Sequence, residues 1–128
     1  MKRTASAVWH GDLKTGSGAL ATPSGVLKET PYSFKTRFEE HTGTNPEELI
    51  AAAHAGCFTM ALSATLGRNG FTPKRLATQA AVSLEQVNGN WTISNEKFQE
   101  IAADAKANCP VSRLLHATIT LTAKLEPS

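Results

Sequence analysis

The chain has few cysteines and little excess charge of either sign. Its 128 residues include two Cys, and 13 Lys+Arg stand against 11 Asp+Glu, giving a formal net charge of +2. The basic residues are scattered from Lys2 to Lys124 with no long run, which argues against nucleic acid as a partner. In a reducing compartment two cysteines are not expected to form a permanent crosslink, so any chemistry of theirs is transient.

Segments for membrane insertion or export are also expected to be absent. The sequence predicts no apolar run of about 18 residues that would span a bilayer. Met1-Lys2-Arg3 is followed by Thr, Ala and Ser without the apolar core of a signal peptide. We therefore expect a soluble, cytoplasmic protein with no membrane partner, folded as one domain over residues 1–128.

The first third of the chain alternates between apolar and polar residues. This alternation, interrupted by Gly and Pro, predicts an antiparallel meander. The expected strands cover residues 4–9, 18–21, 25–28 and 32–38.

A long helix is predicted next. Asn45 suits its N-cap and Pro46 its first position, while Asn69-Gly70 and Pro73 end it. The predicted range is 46–68. Because the side chains in the middle of this helix are small and apolar on nearly every face, we expect the helix to be buried on all sides.

The last third predicts a return to strands with one further helix. A strand over 76–87, a hairpin turn at Asn88-Gly89 and a return strand from Trp91 are followed by a helix from about Ser94 to Pro110. The final strand is predicted over 117–125. The fold class is therefore α+β.

Each cysteine has a structural and a functional interpretation. Cys57 lies in an Ala-rich helix, which is typical of a cysteine packed in a core. Cys109 precedes Pro110, and a helical turn that starts there would lower the pKa of the Cys109 thiol. His54 and Cys57 share a helical face and could begin a metal site, but no second local pair completes it. A Cys/His hydrolase is a further alternative, although no protease signature surrounds Cys57.

Two charged residues have ordinary explanations when they are considered alone. Arg37 is predicted to be an exposed strand residue, and Glu47 a carboxylate that the helix dipole favours in the first turn.

Five stretches of this sequence resemble the osmotically inducible protein C (OsmC) and organic hydroperoxide resistance (Ohr) family of thiol peroxidases. They occur in the same order as in the family. Arg37 and the run Cys109-Pro110-Val111-Ser112 resemble the OsmC branch of the family. The stretches are Ser24-Gly25-Val26-Leu27, 32–39 (YSFKTRFE), 43–49 (GTNPEEL), 53–58 (AHAGCF) and Cys109-Pro110-Val111-Ser112.

The resemblance implies an OsmC/Ohr-like fold, with antiparallel sheets around the long buried helix and a second helix, in an intertwined homodimer. It implies that Cys57 is the peroxidatic cysteine, Cys109 the resolving cysteine, Arg37 the activating cation and Glu47 the carboxylate that orients Arg37. It also implies an organic hydroperoxide as substrate and a lipoyl-type dithiol as reductant. No metal, haem or flavin is expected.

Helix geometry adds a constraint on this site. Ten positions separate Glu47 from Cys57, which is roughly 15 Å along one helix axis. If both belong to one site, Glu47 comes from the partner subunit. The chain departs from the family after Ser94, where a strand-length segment is expected to be missing.

We expect the hydroperoxide to enter an apolar cleft lined by Phe58, Met60 and Phe71, where the Cys57 thiolate attacks it. Two other classes stay open. The cysteine pair could serve a redox-sensing or small-molecule-binding module without turnover, or the thiols could be inert in a structural stress protein.

Overall fold

The computed structural model describes residues 1–94 and 120–126, and it divides into two compact units, Met1–Pro46 and Glu47–Ser128. The N-terminal unit contains a three-stranded antiparallel sheet in the order β1-β2-β3. Its strands are β1 (Ser6–His10), β2 (Ser17–Ala21) and β3 (Thr30–Tyr32). The first two predicted strands are confirmed.

Two predicted strands of this unit are wrong. Residues 25–28 lie in a loop that Thr22 closes, since its hydroxyl accepts from the Leu27 amide at 3.1 Å. The strand predicted over 32–38 ends at Tyr32, and a short helix, α1 (Phe34–Phe38), follows. Ser33 is its N-cap and forms a capping box with Thr36, which satisfies amides that a strand would have left to a neighbour. Arg37 therefore lies on a helix.

The C-terminal unit is built on the long helix α2 (Pro46–Arg68), which has the predicted range. Strands β4 (Arg75–Ala81) and β7 (Thr120–Glu126) pair antiparallel, and β5 (Ser83–Val87) pairs with β6 (Asn90–Ser94). The strand predicted over 76–87 is thus divided at Val82. Asn88 and Gly89 have φ angles of 51° and 79°, as the predicted two-residue hairpin turn requires.

A side-chain hydrogen bond joins helix α2 to strand β4. The Thr59 and Thr78 hydroxyl oxygens lie 2.7 Å apart and join α2 to β4. The Thr59 hydroxyl lies within donating distance of two acceptors, the Thr78 hydroxyl oxygen and the Ala55 carbonyl oxygen, each at 2.7 Å. Within the helix, the buried side chains are Glu47, His54 and Phe58.

The opposite face of α2 is exposed in the single chain. Ala52, Ala53, Gly56 and Met60 all lie on the surface, so burial on all sides is not found in one chain. An 18-residue window of this helix also has a mean hydropathy of 1.6 with 11% of it buried. The expectation that no such apolar run exists is wrong, because residues 49–66 contain no Asp, Glu, Lys or Arg and are rich in Ala and Leu. Length and composition alone suit a core helix equally well.

The second predicted helix, with Phe98, Ile101, Ala102, Ala105 and Cys109, lies outside the described residues. The final strand is confirmed over the part that β7 covers, Thr120 to Leu125.

Candidate functional site

Cys57 lies in the middle of α2 and is half-buried. Its neighbours His54 and Phe58 are 0% exposed, so the thiol sits at the edge of the packed face of the helix. Eleven positions separate it from the first residue of α2, and the helix dipole therefore contributes little to a thiolate there. A nearby positive charge would stabilise a thiolate at this position.

Glu47 lies in the first turn of α2 and is 8% exposed. The structure places Glu47 and Cys57 on one continuous helix, so the axial separation of roughly 15 Å holds within a chain. One copy of the helix does not bring the two side chains together.

Arg37 belongs to the N-terminal unit, whereas Glu47 and Cys57 belong to the C-terminal unit. It occupies the last turn of α1 and is exposed. Its guanidinium carbon lies 5.3 Å from the centre of the Phe38 ring, a distance suited to a cation–π contact. Arg37 is therefore a surface cation supported by an aromatic ring.

The three residues predicted to line the substrate cleft differ in their exposure. Phe58 is 0% exposed, whereas Met60 is 75% and Phe71 is 65% exposed. A cleft shared by these three would therefore need further atoms to cover Met60 and Phe71. The fourth predicted catalytic residue, Cys109, lies outside the described residues.

Sequence reasoning missed a cavity of about 430 Å³ in the N-terminal unit. Its walls consist mainly of aromatic side chains, with Arg37 in the same wall. The main lining residues are Trp9, Leu13, Tyr32, Phe34, Phe38 and Arg37. Ser33 with Thr36 three residues later is the sequence signal for helix α1, which carries Phe34 and Phe38.

The described residues offer no ready metal centre. Across residues 1–94 and 120–126, no three His, Cys, Asp or Glu side chains are grouped to hold an ion. His54 and Cys57 lie one helical turn apart, but two side chains do not complete the coordination of a metal such as zinc.

The chain is similar to several known proteins over most of its length. It is 48% identical over 132 residues to peroxiredoxin OsmC of Escherichia coli, covering 92% of both chains. It is 26% identical over 122 residues to the organic hydroperoxide resistance protein OhrB of Bacillus subtilis, covering 86% of this chain and 90% of that one.

The E. coli comparison extends over more positions than this chain has residues. The relative therefore contains internal residues without a counterpart here. The location of the missing segment after Ser94 stays a prediction.

Solved structures have the same fold. An OsmC-like protein from Vibrio cholerae superposes with a TM-score of 0.67 at 11% identity, covering 92% of this chain and 96% of that one. An organic hydroperoxide resistance protein from Elizabethkingia anophelis gives 0.63 at 23% identity, with 89% of each chain covered. The sequence profile described as OsmC-like protein matches residues 39–124. This α+β chain, with its OsmC/Ohr-like fold, belongs to the OsmC family.

Proposed function

We propose that the protein is a thiol peroxidase that reduces organic hydroperoxides to alcohols with Cys57 as the attacking residue. The observation that carries this proposal is the 48% identity to E. coli peroxiredoxin OsmC over 92% of both chains. The half-buried position of Cys57 beside the packed face of α2 also supports it, because such a thiol is reachable by a small substrate and shielded from bulk water.

In the first step the Cys57 thiolate attacks the terminal oxygen of the hydroperoxide. An S–O bond forms and the O–O bond breaks, so that sulfur is oxidised to a sulfenic acid and the peroxide is reduced. The leaving alkoxide takes a proton from solvent and departs as the alcohol. No metal, haem or flavin takes part in this step.

In the second step Cys109 attacks the sulfenic sulfur. A disulfide forms between Cys57 and Cys109, and the sulfenic oxygen leaves as water after it receives a proton. A dithiol of the lipoyl type then restores both cysteines by two thiol–disulfide exchanges and is itself oxidised to a cyclic disulfide.

Arg37 and Glu47 complete the proposed site. The Arg37 guanidinium stabilises the Cys57 thiolate and the alkoxide, and Glu47 orients the guanidinium. Since one helix holds Glu47 and Cys57 far apart, Glu47 acts from the second subunit of an intertwined homodimer. The exposed small residues of α2, Ala52, Ala53 and Gly56, allow the close approach of a partner helix that would bury α2.

The substrate would contact Phe58, Met60 and Phe71, the last two covered by the partner. In this proposal residues 1–128 act as one OsmC-like domain in the cytoplasm.

Turnover by two cysteine variants tests the role of each thiol. With cumene hydroperoxide and dihydrolipoamide, Cys57→Ser is expected to lose peroxide consumption completely. Cys109→Ser is expected to consume one equivalent of hydroperoxide and then to stop. Its Cys57 should remain a sulfenic acid, which a dimedone-type probe labels. Full turnover by Cys57→Ser together with loss in Cys109→Ser would invert the assignment.

Oxidation of the wild type without steady consumption of peroxide would instead favour a redox sensor. Thiols that react only after unfolding would indicate a structural protein.

A further inference from the structure

A pair of threonine hydroxyls ties the helical turn that carries Cys57 to strand β4. The hydroxyl oxygens of Thr59 on α2 and Thr78 on β4 lie 2.7 Å apart, and both side chains are half-buried. The Thr59 hydroxyl oxygen also lies 2.7 Å from the carbonyl oxygen of Ala55. Cys57 stands midway between Ala55 and Thr59 in the chain. These hydrogen bonds therefore span the turn that contains the thiol.

The link between α2 and β4 exists in either arrangement of the hydroxyl protons. A hydroxyl has one proton to donate and two lone pairs that accept. When Thr59 donates to the Ala55 carbonyl, its oxygen still accepts from the Thr78 hydroxyl. When Thr59 donates to Thr78, the Ala55 carbonyl keeps the helical hydrogen bond from the Thr59 amide. Helix and strand are joined by a hydrogen bond in both cases.

The backbone of this turn has features that weaken a helix. Gly56 precedes the thiol, and a glycine in a helix gives the backbone more freedom than any other residue. A Cβ at Gly56 would meet nothing within 4 Å, so no neighbour in the single chain restrains the turn on that side. A threonine hydroxyl bonded to the carbonyl four residues earlier also tends to bend a helix. The bond to Thr78 therefore restrains a turn that is adaptable by itself.

Cys57 and Thr59 lie at the two edges of the packed face of α2. Successive residues turn by about 100° around a helix axis, so Phe58, which is 0% exposed, lies between them. A rotation of the helix that moves Thr59 away from β4 would carry Cys57 towards the packed face. For a rotation of about 30°, each Cα moves by roughly 1.2 Å. The position of the thiol therefore depends on the rotation of α2 against β4.

A directional bond fixes this rotation more closely than apolar packing does. Leu76 and Ala80 share the face of β4 with Thr78, because alternate residues of a strand lie on one side. Contacts of such apolar side chains are non-directional. A hydrogen bond, in contrast, weakens steeply when its distance or angle changes.

We propose that Thr59 and Thr78 are positioning residues for Cys57, because their hydrogen bond fixes the rotation of α2 at which the thiol meets a hydroperoxide. The inference rests on the proposed peroxidase function and adds two residues to it. Neither threonine touches the substrate, and both act through the helix. A misplacement of about 1 Å costs up to about 100-fold in rate. Loss of the bond should therefore slow the attack of Cys57 without abolishing it.

Thr78→Val removes the hydroxyl and keeps the shape of the side chain. The rate of oxidation by cumene hydroperoxide is measured by stopped flow in a Cys109→Ser background, where Cys57 is the remaining one of the two cysteines. We expect the second-order rate constant to fall at least tenfold in Thr78→Val and to stay within twofold in Thr78→Ser, which keeps the hydroxyl. Thr65→Val is the matched control, because the Thr65 hydroxyl accepts from Arg68 of the same helix. Equal rates in Thr78→Val and Thr65→Val would overturn the proposal.

A pH profile separates positioning from a merely structural role. The rate of alkylation of Cys57 by iodoacetamide is measured against pH in the same variants, and urea unfolding gives their stability. We expect the midpoint of the profile to rise by at least about 0.5 unit in Thr78→Val, because a turn rotated towards the packed face desolvates the thiolate. Thr78→Ser should restore the wild-type midpoint. Lower stability with an unchanged midpoint and an unchanged oxidation rate would leave the pair a structural role only and overturn the proposal.

Thr59→Val breaks the same bond from the side of the helix and serves if Thr78→Val does not fold. It should also slow oxidation at least tenfold. Because both changes remove one bond, the double variant should be no slower than Thr59→Val. Two effects that multiply in the double variant would show that the threonines act separately and would contradict the proposal.

The two readouts distinguish this proposal from the peroxidase function. An alkylation profile that depends on Thr78, in a wild type whose Cys57 no hydroperoxide oxidises, would overturn the peroxidase function alone. Rapid oxidation of Cys57 that is independent of both threonines would overturn the positioning role alone.

Discussion

At the residue scale, the proposed chemistry depends on a positive charge beside Cys57. The thiol lies mid-helix and half-buried, so neither a helix N-terminus nor full solvation stabilises its thiolate. Arg37 suits this role because its planar guanidinium bonds sulfur and oxygen acceptors without losing its proton. On α1 its guanidinium carbon lies 5.3 Å from the centre of the Phe38 ring.

Replacing Arg37 should slow the first chemical step and leave the fold intact. We expect Arg37→Ala to lose about 2–4 kcal/mol of charge stabilisation, by analogy with other preorganised donors, which is roughly a 30- to 1000-fold lower rate. Lys35→Ala is a matched control, since Lys35 is an exposed cation on the same helix. Stopped-flow measurement gives the rate of Cys57 oxidation in both variants. A rate in Arg37→Ala equal to that in Lys35→Ala would remove Arg37 from the mechanism.

At the element scale, local signals identified α2 and failed at α1. Asn45, Pro46 and Asn69-Gly70 mark the two ends of α2 in the sequence, and the structure has the same bounds. Phe34 and Phe38 are four positions apart, a spacing that fits both a strand face and a helix face. Only the Ser33–Thr36 capping box decides between them. The aromatic cavity was missed for a related reason, because it depends on the register that places Gly18 between Trp9 and Tyr32.

The turn before β2 depends on an ionised Asp12. The hydroxyl of Thr15, with backbone amides of Thr15 and Lys14, holds the pKa of Asp12 below its ordinary value of 3.8. A lowered pKa in the folded state adds stability that is present above pH 3.8 and is lost as the pH falls through the native pKa. The same turn carries the carbonyl that contacts the Trp9 indole.

Asp12→Asn keeps the shape of the side chain but removes its charge. We expect the variant to be less stable than the wild type near neutral pH, with a difference that shrinks as the pH falls below 3.8. Urea unfolding of both proteins across this range measures the effect. A stability difference that does not change with pH would contradict the role of the charge.

At the scale of the whole molecule, the sequence indicated a helix that one chain does not bury. The small residues of α2 predict contacts on every face, whereas Ala52, Ala53, Gly56 and Met60 are exposed in the single chain. In the proposed dimer a second copy covers these residues, and no pattern within one sequence specifies the geometry of such a contact. Because that contact geometry is not specified, candidate residues for the site can be predicted from the sequence, but their positions relative to one another cannot.

Gly56→Lys tests whether a partner covers α2. A Cβ at Gly56 meets nothing within 4 Å in the single chain, so in a monomer the change should be tolerated and add roughly 0.5–1 kcal/mol of helix stability. In the proposed dimer it buries an unpaired charge and should raise the dimer dissociation constant at least 100-fold. Sedimentation equilibrium measures this, with Val26→Lys as the control. An unchanged dimer would place the interface elsewhere, and a monomeric wild type would contradict the dimer.

The central claim is that Cys57 and Cys109 form a catalytic pair, and the most direct measurement follows both thiols at once. Free thiols and intact mass are determined before and after one equivalent of cumene hydroperoxide, then again with dihydrolipoamide while peroxide is followed over many equivalents. We predict the loss of both thiols with about 2 Da of mass, full recovery with the dithiol, and continued consumption of peroxide. Thiols that stay unreactive in the folded protein would contradict the account.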